Sequence, residues 1–191
     1  MISKLHPLIV LFLLAVGTQA IAQPSVGGIV YGPKGAFNIG APKGWSLDPT
    51  AGNEQGLPCV LYPEGSTWDN AEPLMYAKIA STDYEDVEAF AKIAIEDMKE
   101  KRPGIQPKRI ASGKTAGDLP YFINEYPATK AYKRSERVAY VQLPKAVAYI
   151  VYSADGKSAF RKHQGALEEA VKSLRSMDVN YPGKPTPSDR P

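Results

Sequence analysis

The sequence predicts an α+β fold, an antiparallel sheet of about eight short strands with two helices packed against it. Three observations carry the prediction. Val138, Tyr140, Val147, Tyr149 and Val151 alternate with Ala139, Val141, Ala148, Ile150 and Tyr152, which is the two-residue period of sheet. Leu143-Pro144-Lys145-Ala146 lies between the two runs, with proline where a tight turn needs its φ fixed, so the pair reads as a hairpin. Two other stretches carry apolar residues at helical spacing, Val87, Phe90, Ala91, Ala94, Met98 and Leu167, Ala170, Val171, Leu174, Met177, each the stripe of a helix that buries one face.

Taken in order, residues 27–31 and 36–41 are short strands separated by the turn Gly32-Pro33-Lys34-Gly35. Pro42-Lys43-Gly44 repeats the Pro-Lys-Gly of 33–35, but the flanks differ, so both read as turns rather than as a repeat. Residues 46–58 are polar and glycine-rich and read as a loop. Residues 59–62 and 73–80 are the third and fourth strands, joined by a loop through Trp68. Thr82-Asp83-Tyr84-Glu85 has the spacing of a capping box, in which each side chain satisfies a free backbone N–H at the other's end. The first helix should follow, with Asp83, Glu85, Asp86 and Glu88 near its start, Lys99, Lys101 and Arg102 near its end, and Pro103-Gly104 stopping it. Residues 106–116 and 121–126 are the next strands, joined by Gly117-Asp118-Leu119-Pro120, and 127–135 lead into the hairpin. Ser158 is placed to cap the last helix.

The chain opens with a short basic start at Lys4, an apolar run over residues 8–16, and small residues Ala20 and Ala22. These are the parts of a secretory signal peptide, with cleavage expected before Gln23. The apolar run meets Gly17, Thr18 and Gln19 too soon to span a bilayer, and no cysteine stands near the cleavage site to carry a lipid. Removing residues 1–22 from 191 leaves 169, and loss of Lys4 lowers the net charge from +3 to +2. That length suits one domain, read over residues 23–179, followed by a proline-rich tail over 180–191 with too little apolar surface to fold. The expected location is the periplasm or the medium. Cys59 is the sole cysteine, so no disulfide staples the chain. The near-neutral balance argues against nucleic acid or an acidic membrane surface as the main partner, and no stable membrane insertion is expected after cleavage.

Phe37 to Trp45, a strand running into Pro-x-Gly-Trp, resembles the opening signature of the PsbP-like superfamily. The later order is similar too: a middle helix, a four-stranded meander, and a final helix in which Phe160 and Leu167 precede Ser-Leu-Arg-Ser at 173–176. The resemblance covers nearly the whole mature domain and identifies the chain as an exported bacterial member. It implies an α/β/α sandwich around an antiparallel sheet, and accessory or binding proteins without a shared catalytic centre. No functional residue carries over, because the matching positions are fold positions.

The patterns that carry chemistry fail one by one. His163 is the only histidine left after cleavage, so a metal site built on paired histidines is excluded within one chain, and no metal or cofactor is expected. Cys59 sits in an apolar run beside Val60 and Leu61, where a free cysteine behaves as a small core residue. Gly156-Lys157-Ser158 resembles the end of a phosphate-binding loop, but Val151 stands where that motif needs its first glycine. Glu96, Asp97 and the acids at the first helix's start read as a solvated face and cap. No catalytic residue is assigned.

Two contact regions remain. Lys108, Arg109, Lys114, Lys130, Lys133, Arg134 and Arg137 are the densest basic region; along one sheet edge they form either a solvated face that discourages edge pairing or a contact for an acidic partner or phospholipid headgroup. Trp68, with Asp69 and Asn70, lies in a polar loop that suits a sugar or peptide groove, whereas Trp45 belongs to the fold signature and reads as core. The candidate contact residues are therefore Trp68, Asp69, Asn70, Lys130, Lys133 and Arg134. The expectation is an exported, non-enzymatic accessory protein of the bacterial envelope that binds an envelope protein or small ligand through loops 46–70. The competing expectation is an exported enzyme using a carboxylate or Cys59.

Overall fold

The alternating hairpin forms the centre of the larger of two sheets. In the computed structural model, which describes residues 27–80, 84 and 86–178, its strands are β8 (Arg134–Gln142) and β9 (Val147–Asp155), paired antiparallel from Arg134 opposite Asp155 to Gln142 opposite Val147. The amide of Leu143 donates to the carbonyl of Ala146 and closes the turn. The predicted signal peptide, the tail over 180–191, and Thr82, Asp83 and Glu85 of the predicted capping box lie outside the described residues.

Around that hairpin, β3 (Trp45–Asp48), β4 (Val60–Pro63), β5 (Leu74–Ile79), β6 (Lys108–Lys114) and β7 (Pro120–Tyr126) complete a seven-stranded antiparallel sheet in the order β3-β4-β5-β9-β8-β7-β6. A second sheet of three strands has the order β1-β2-β10, from β1 (Gly27–Gly32), β2 (Gly35–Gly40) and β10 (Arg175–Met177). The α+β class is therefore the one expected, with ten strands in two sheets among the described residues. The two additional strands are β3, which starts at Trp45 and runs into the stretch 46–58 read as a loop, and β10, inside the stretch read as the end of the last helix.

The helices divide between the two faces of the large sheet. Helix α1 (Val87–Lys101) starts at Asp86, whose carboxylate accepts from the Ala89 amide at 2.7 Å. Asp86 is thus the side-chain cap. The predicted final helix is two short ones, α2 (Lys157–His163) and α3 (Gly165–Ser173). Gly156, with φ of 78°, turns the chain directly from β9 into α2, so Ser158 lies inside the first turn and caps nothing. Leu174 is extended, and Met177 pairs opposite Ala36 in β10 instead of continuing the helical stripe.

Each face carries its own core. On one, Phe160, Leu167, Val171 and Leu174 of the α2–α3 segment and Val30, Phe37 and Ile39 of the small sheet pack on Trp45, Leu61, Met75, Ile150 and Tyr152. The small sheet approaches closely because β1 turns glycines inward: a Cβ on Gly32 would sit 2.5 Å from Cβ of Ile79, and one on Gly28 would collide with Leu47. On the other face, Val87 and Ala91 of α1 pack on Phe122, Tyr126, Val138, Tyr140, Val147 and Val151. The period of two places these two sets of residues on opposite sides of the same strands. The Pro42–Trp45 turn ties β2 to β3; the Trp45 amide donates to the Pro42 carbonyl at 3.0 Å, and Gly44 holds φ at 75°.

Candidate functional site: an aromatic cleft under the first helix

Helix α1 covers its face of the sheet incompletely. Phe90, Ile93, Ala94, Asp97, Met98 and Lys101 recur at three- and four-residue steps and share one side of the helix. Opposite them, Tyr76 of β5, Val138 and Tyr140 of β8, and Tyr149 and Val151 of β9 point from the sheet, with Tyr76 facing Val151 and Tyr140 facing Tyr149 across the ladder. Together with Tyr84 these residues line a cleft of about 260 Å³.

Phe90 is its inner aromatic wall, with ring centroids 4.8 Å from Tyr84, 5.4 Å from Tyr149 and 5.9 Å from Tyr140. Such edge-to-face and tilted pairs hold rings in fixed relative orientation. Burial pushes the phenols of Tyr76, Tyr140 and Tyr149 above their usual range, so they remain neutral hydroxyls that both donate and accept. The Tyr140 hydroxyl is 2.5 Å from that of Tyr126. Ile93 is 48% exposed at the rim, where Asp97 and Lys101 bring one charge of each sign.

Beyond Lys101 lies a buried ion pair. Arg102 Nη1 is 2.8 Å from Glu136 Oε2, with the two residues only 9% and 7% exposed. The angle at Nη1 departs from hydrogen-bond geometry, so this contact is held by charge rather than by a directed bond. The Tyr132 hydroxyl donates to Glu136 Oε1 at 3.1 Å, and the Ser153 hydroxyl is 3.3 Å from the same oxygen. The Arg102 guanidinium lies 3.5 Å over the Tyr132 ring. This network fixes the end of α1 to the sheet and sets the position of the cleft's helical wall.

The residues singled out from the sequence lie elsewhere. Trp68 is half-buried, and Asp69 and Asn70 are exposed, in the β4–β5 connection, where the Asn70 side chain accepts from the Thr67 amide at 2.8 Å. Lys130 and Lys133 are exposed in the β7–β8 loop. Arg134 opens β8 and reaches Glu72 at 2.9 Å, so the structure ties that strand to the connection bearing Trp68. Arg109 pairs with Glu88 and Arg137 with Glu125. Trp45 is core, its ring 6.4 Å from Tyr152 and 6.0 Å from His163.

Cys59 is fully buried, and burial, helped by the charge of Asp48, pushes its thiol up to about 12. Burial and then the charge of Lys162 hold the His163 imidazole below its usual range. A folded imidazole with a lowered pKa makes the unfolded chain bind the extra proton first, so the chain is expected to lose stability as pH falls below about 6.5. Urea midpoints between pH 7.5 and pH 5 check this, and His163→Gln should flatten that dependence. Among the described residues no group of three His, Cys, Asp or Glu side chains is arranged to hold a metal ion.

No family model matches the chain, and no curated protein matches it. Solved structures do. LpqN of Mycobacterium tuberculosis, described as involved in cell envelope biogenesis, aligns at 15% identity over 80% of this chain and 91% of its own, with a TM-score of 0.51. Cyanobacterial PsbP (CyanoP) from Synechocystis sp. PCC 6803 aligns at 11% identity over 85% of this chain and 99% of its own, with a TM-score of 0.48. The α+β fold is shared with LpqN. At these identities the likeness is one of fold, and a shared fold does not assign the cleft a role. Sequence reasoning missed Tyr76, Tyr84, Phe90, Tyr140 and Tyr149 as a group. The signal was present in part: Tyr140 and Tyr149 share a parity in the hairpin, and a tyrosine-rich sheet face opposite a helix with alanines at 91 and 94 leaves room between them.

Proposed function

We propose that this chain is an exported, non-enzymatic binding protein of the bacterial envelope, and that the cleft beneath α1 is where it takes its partner or ligand. The observation that carries this is the cleft itself: four tyrosines and a phenylalanine around an open space, with neutral hydroxyls inside and Asp97 and Lys101 outside. A dry apolar cavity of about 150 Å³ suffices for a benzene-sized group, so about 260 Å³ takes an aromatic or branched aliphatic moiety together with part of what bears it. The depth of Cys59 and its raised pKa support binding over thiol chemistry, since the nucleophilic thiolate is strongly disfavoured there. The signal-like N-terminus supports export, and among the described residues no helix is long and apolar enough to cross a membrane.

Ile93→Asp tests the reading with little risk to the core, because Ile93 is already half in solvent. Captures from envelope extract with the unchanged protein, Ile93→Asp and Trp68→Ala are compared side by side. The cleft reading expects Ile93→Asp to weaken retention of a specific partner or ligand tenfold or more while Trp68→Ala retains it. Loss with Trp68→Ala alone moves the site to the 46–70 loops.

A further inference from the structure

We infer a second interaction surface, at the end of the large sheet where β7 ends and β8 begins, that docks the protein electrostatically on an anionic phospholipid surface. Tyr126 pairs opposite Glu136, and Arg134 pairs opposite Asp155, so the β7–β8 loop and the β9–α2 connection emerge at the same end. The loop carries Lys130 and Lys133, and α2 carries Lys157, Arg161 and Lys162, all five exposed. Among the described residues none of the five has an ion-pair partner. Lys157 and Arg161 border a trough of about 260 Å³ with Ser135, Gln164 and the Arg137–Glu125 pair.

The kind of cation left free points to the kind of partner. Arginines read single carboxylates bidentately, but Arg102, Arg109, Arg134 and Arg137 are already committed to Glu136, Glu88, Glu72 and Glu125. What remains is mainly lysine, a hydrated point charge on a flexible stem, distributed over a loop and a helix. That arrangement suits a plane of negative charge better than one acidic side chain. Against these cations, at the same end, stand the exposed carboxylates of Asp155 and, on the β4–β5 connection, Glu64, Asp69 and Glu72, the last already paired with Arg134, so the five exposed cations still outnumber the free acids. The net charge of the chain conceals this polarity, because acids elsewhere, Glu54, Asp86 and Asp97 among them, offset it in the sum.

The test is co-sedimentation of the protein as exported and processed, with vesicles of phosphatidylcholine alone or with about one third phosphatidylglycerol, at about 0.1 M and about 0.5 M salt. Binding is expected to the anionic vesicles only, and to vanish at the higher salt. Each charge removed should weaken it about fivefold, so Lys130→Gln with Lys133→Gln, or Lys157→Gln with Arg161→Gln, should each cost about 25-fold. Lys78→Gln with Lys145→Gln, at the opposite end of the sheet, should change it less than twofold. Absence of binding to anionic vesicles at low salt overturns the inference. So does an equal loss in the opposite-end pair, which would make net charge the cause, and so does tighter binding to polyglutamate than to vesicles, which would make the partner an acidic polypeptide. All six substituted side chains stand at the surface, and the salt dependence of the unchanged protein decides the matter should any variant misfold.

Discussion

Replacing Glu136 with alanine is expected to destabilise the protein by about 3–5 kcal/mol, seen as a large fall in the urea midpoint. Glu136 and Arg102 are both about nine-tenths buried, and the Glu136 carboxylate also gathers the hydroxyls of Tyr132 and Ser153. Removing it leaves the Arg102 guanidinium over the Tyr132 ring in a low-dielectric site without its carboxylate. The penalty comes from that stranded charge more than from the value of the pair itself. Arg102→Met combined with Glu136→Leu removes both charges and should therefore cost far less than Glu136→Ala alone. A double variant as unstable as the single one would mean that the network, rather than the uncompensated charge, carries the effect.

The same substitution has a consequence for the cleft. Arg102 follows α1 directly, and its amide donates to the Met98 carbonyl at 2.9 Å as the last turn closes. Met98 and Lys101 line the cleft, so loosening this end displaces part of its wall. Faster amide exchange over the last two turns of α1 than over β8 and β9 would locate the change there, and partner retention should fall with it.

The sequence made the central hairpin legible because β8 and β9 are long and alternate strictly between two packed faces. Helix α1 was legible from its apolar stripe and its charge order, and the residue seen capping it is Asp86. What escaped was short and non-local. Trp45–Asp48 is a strand because it pairs with Val60–Pro63, and Arg175–Met177 is a strand because it pairs with Ala36–Asn38, over a hundred positions earlier in the chain. A run of three or four residues has too few side chains to display a period. The split between α2 and α3 was hidden for a related reason: Phe160 is the one buried side chain of α2, so its spacing from Leu167 reads as a continuing helix. The aromatic cleft was the least legible feature, since its residues come from α1, β5, β8 and β9 and only the sheet order β5-β9-β8 brings the tyrosines side by side.

Leu167→Ala is expected to cost about 2–5 kcal/mol, by loss of burial and by the cavity left behind. Leu167 is fully buried in the first turn of a nine-residue helix whose other buried side chains are Ala166, Ala170 and Val171. A helix that short does not persist alone, so α3 depends on this packing against β2, β8 and β9. Its removal should also loosen β10, which follows after Leu174 and pairs with β2. Leu167 and Glu136 lie in separate clusters on opposite faces of the sheet and share no partner, so the two losses should add within about 0.5 kcal/mol in the double variant. A coupling of more than 1 kcal/mol would show instead that β8, which the two faces share, transmits strain between them. The α1 cleft and the basic end could then not be treated as independent, since β8 forms part of the cleft wall and Arg137, in the same strand, lines the trough beside Lys157 and Arg161.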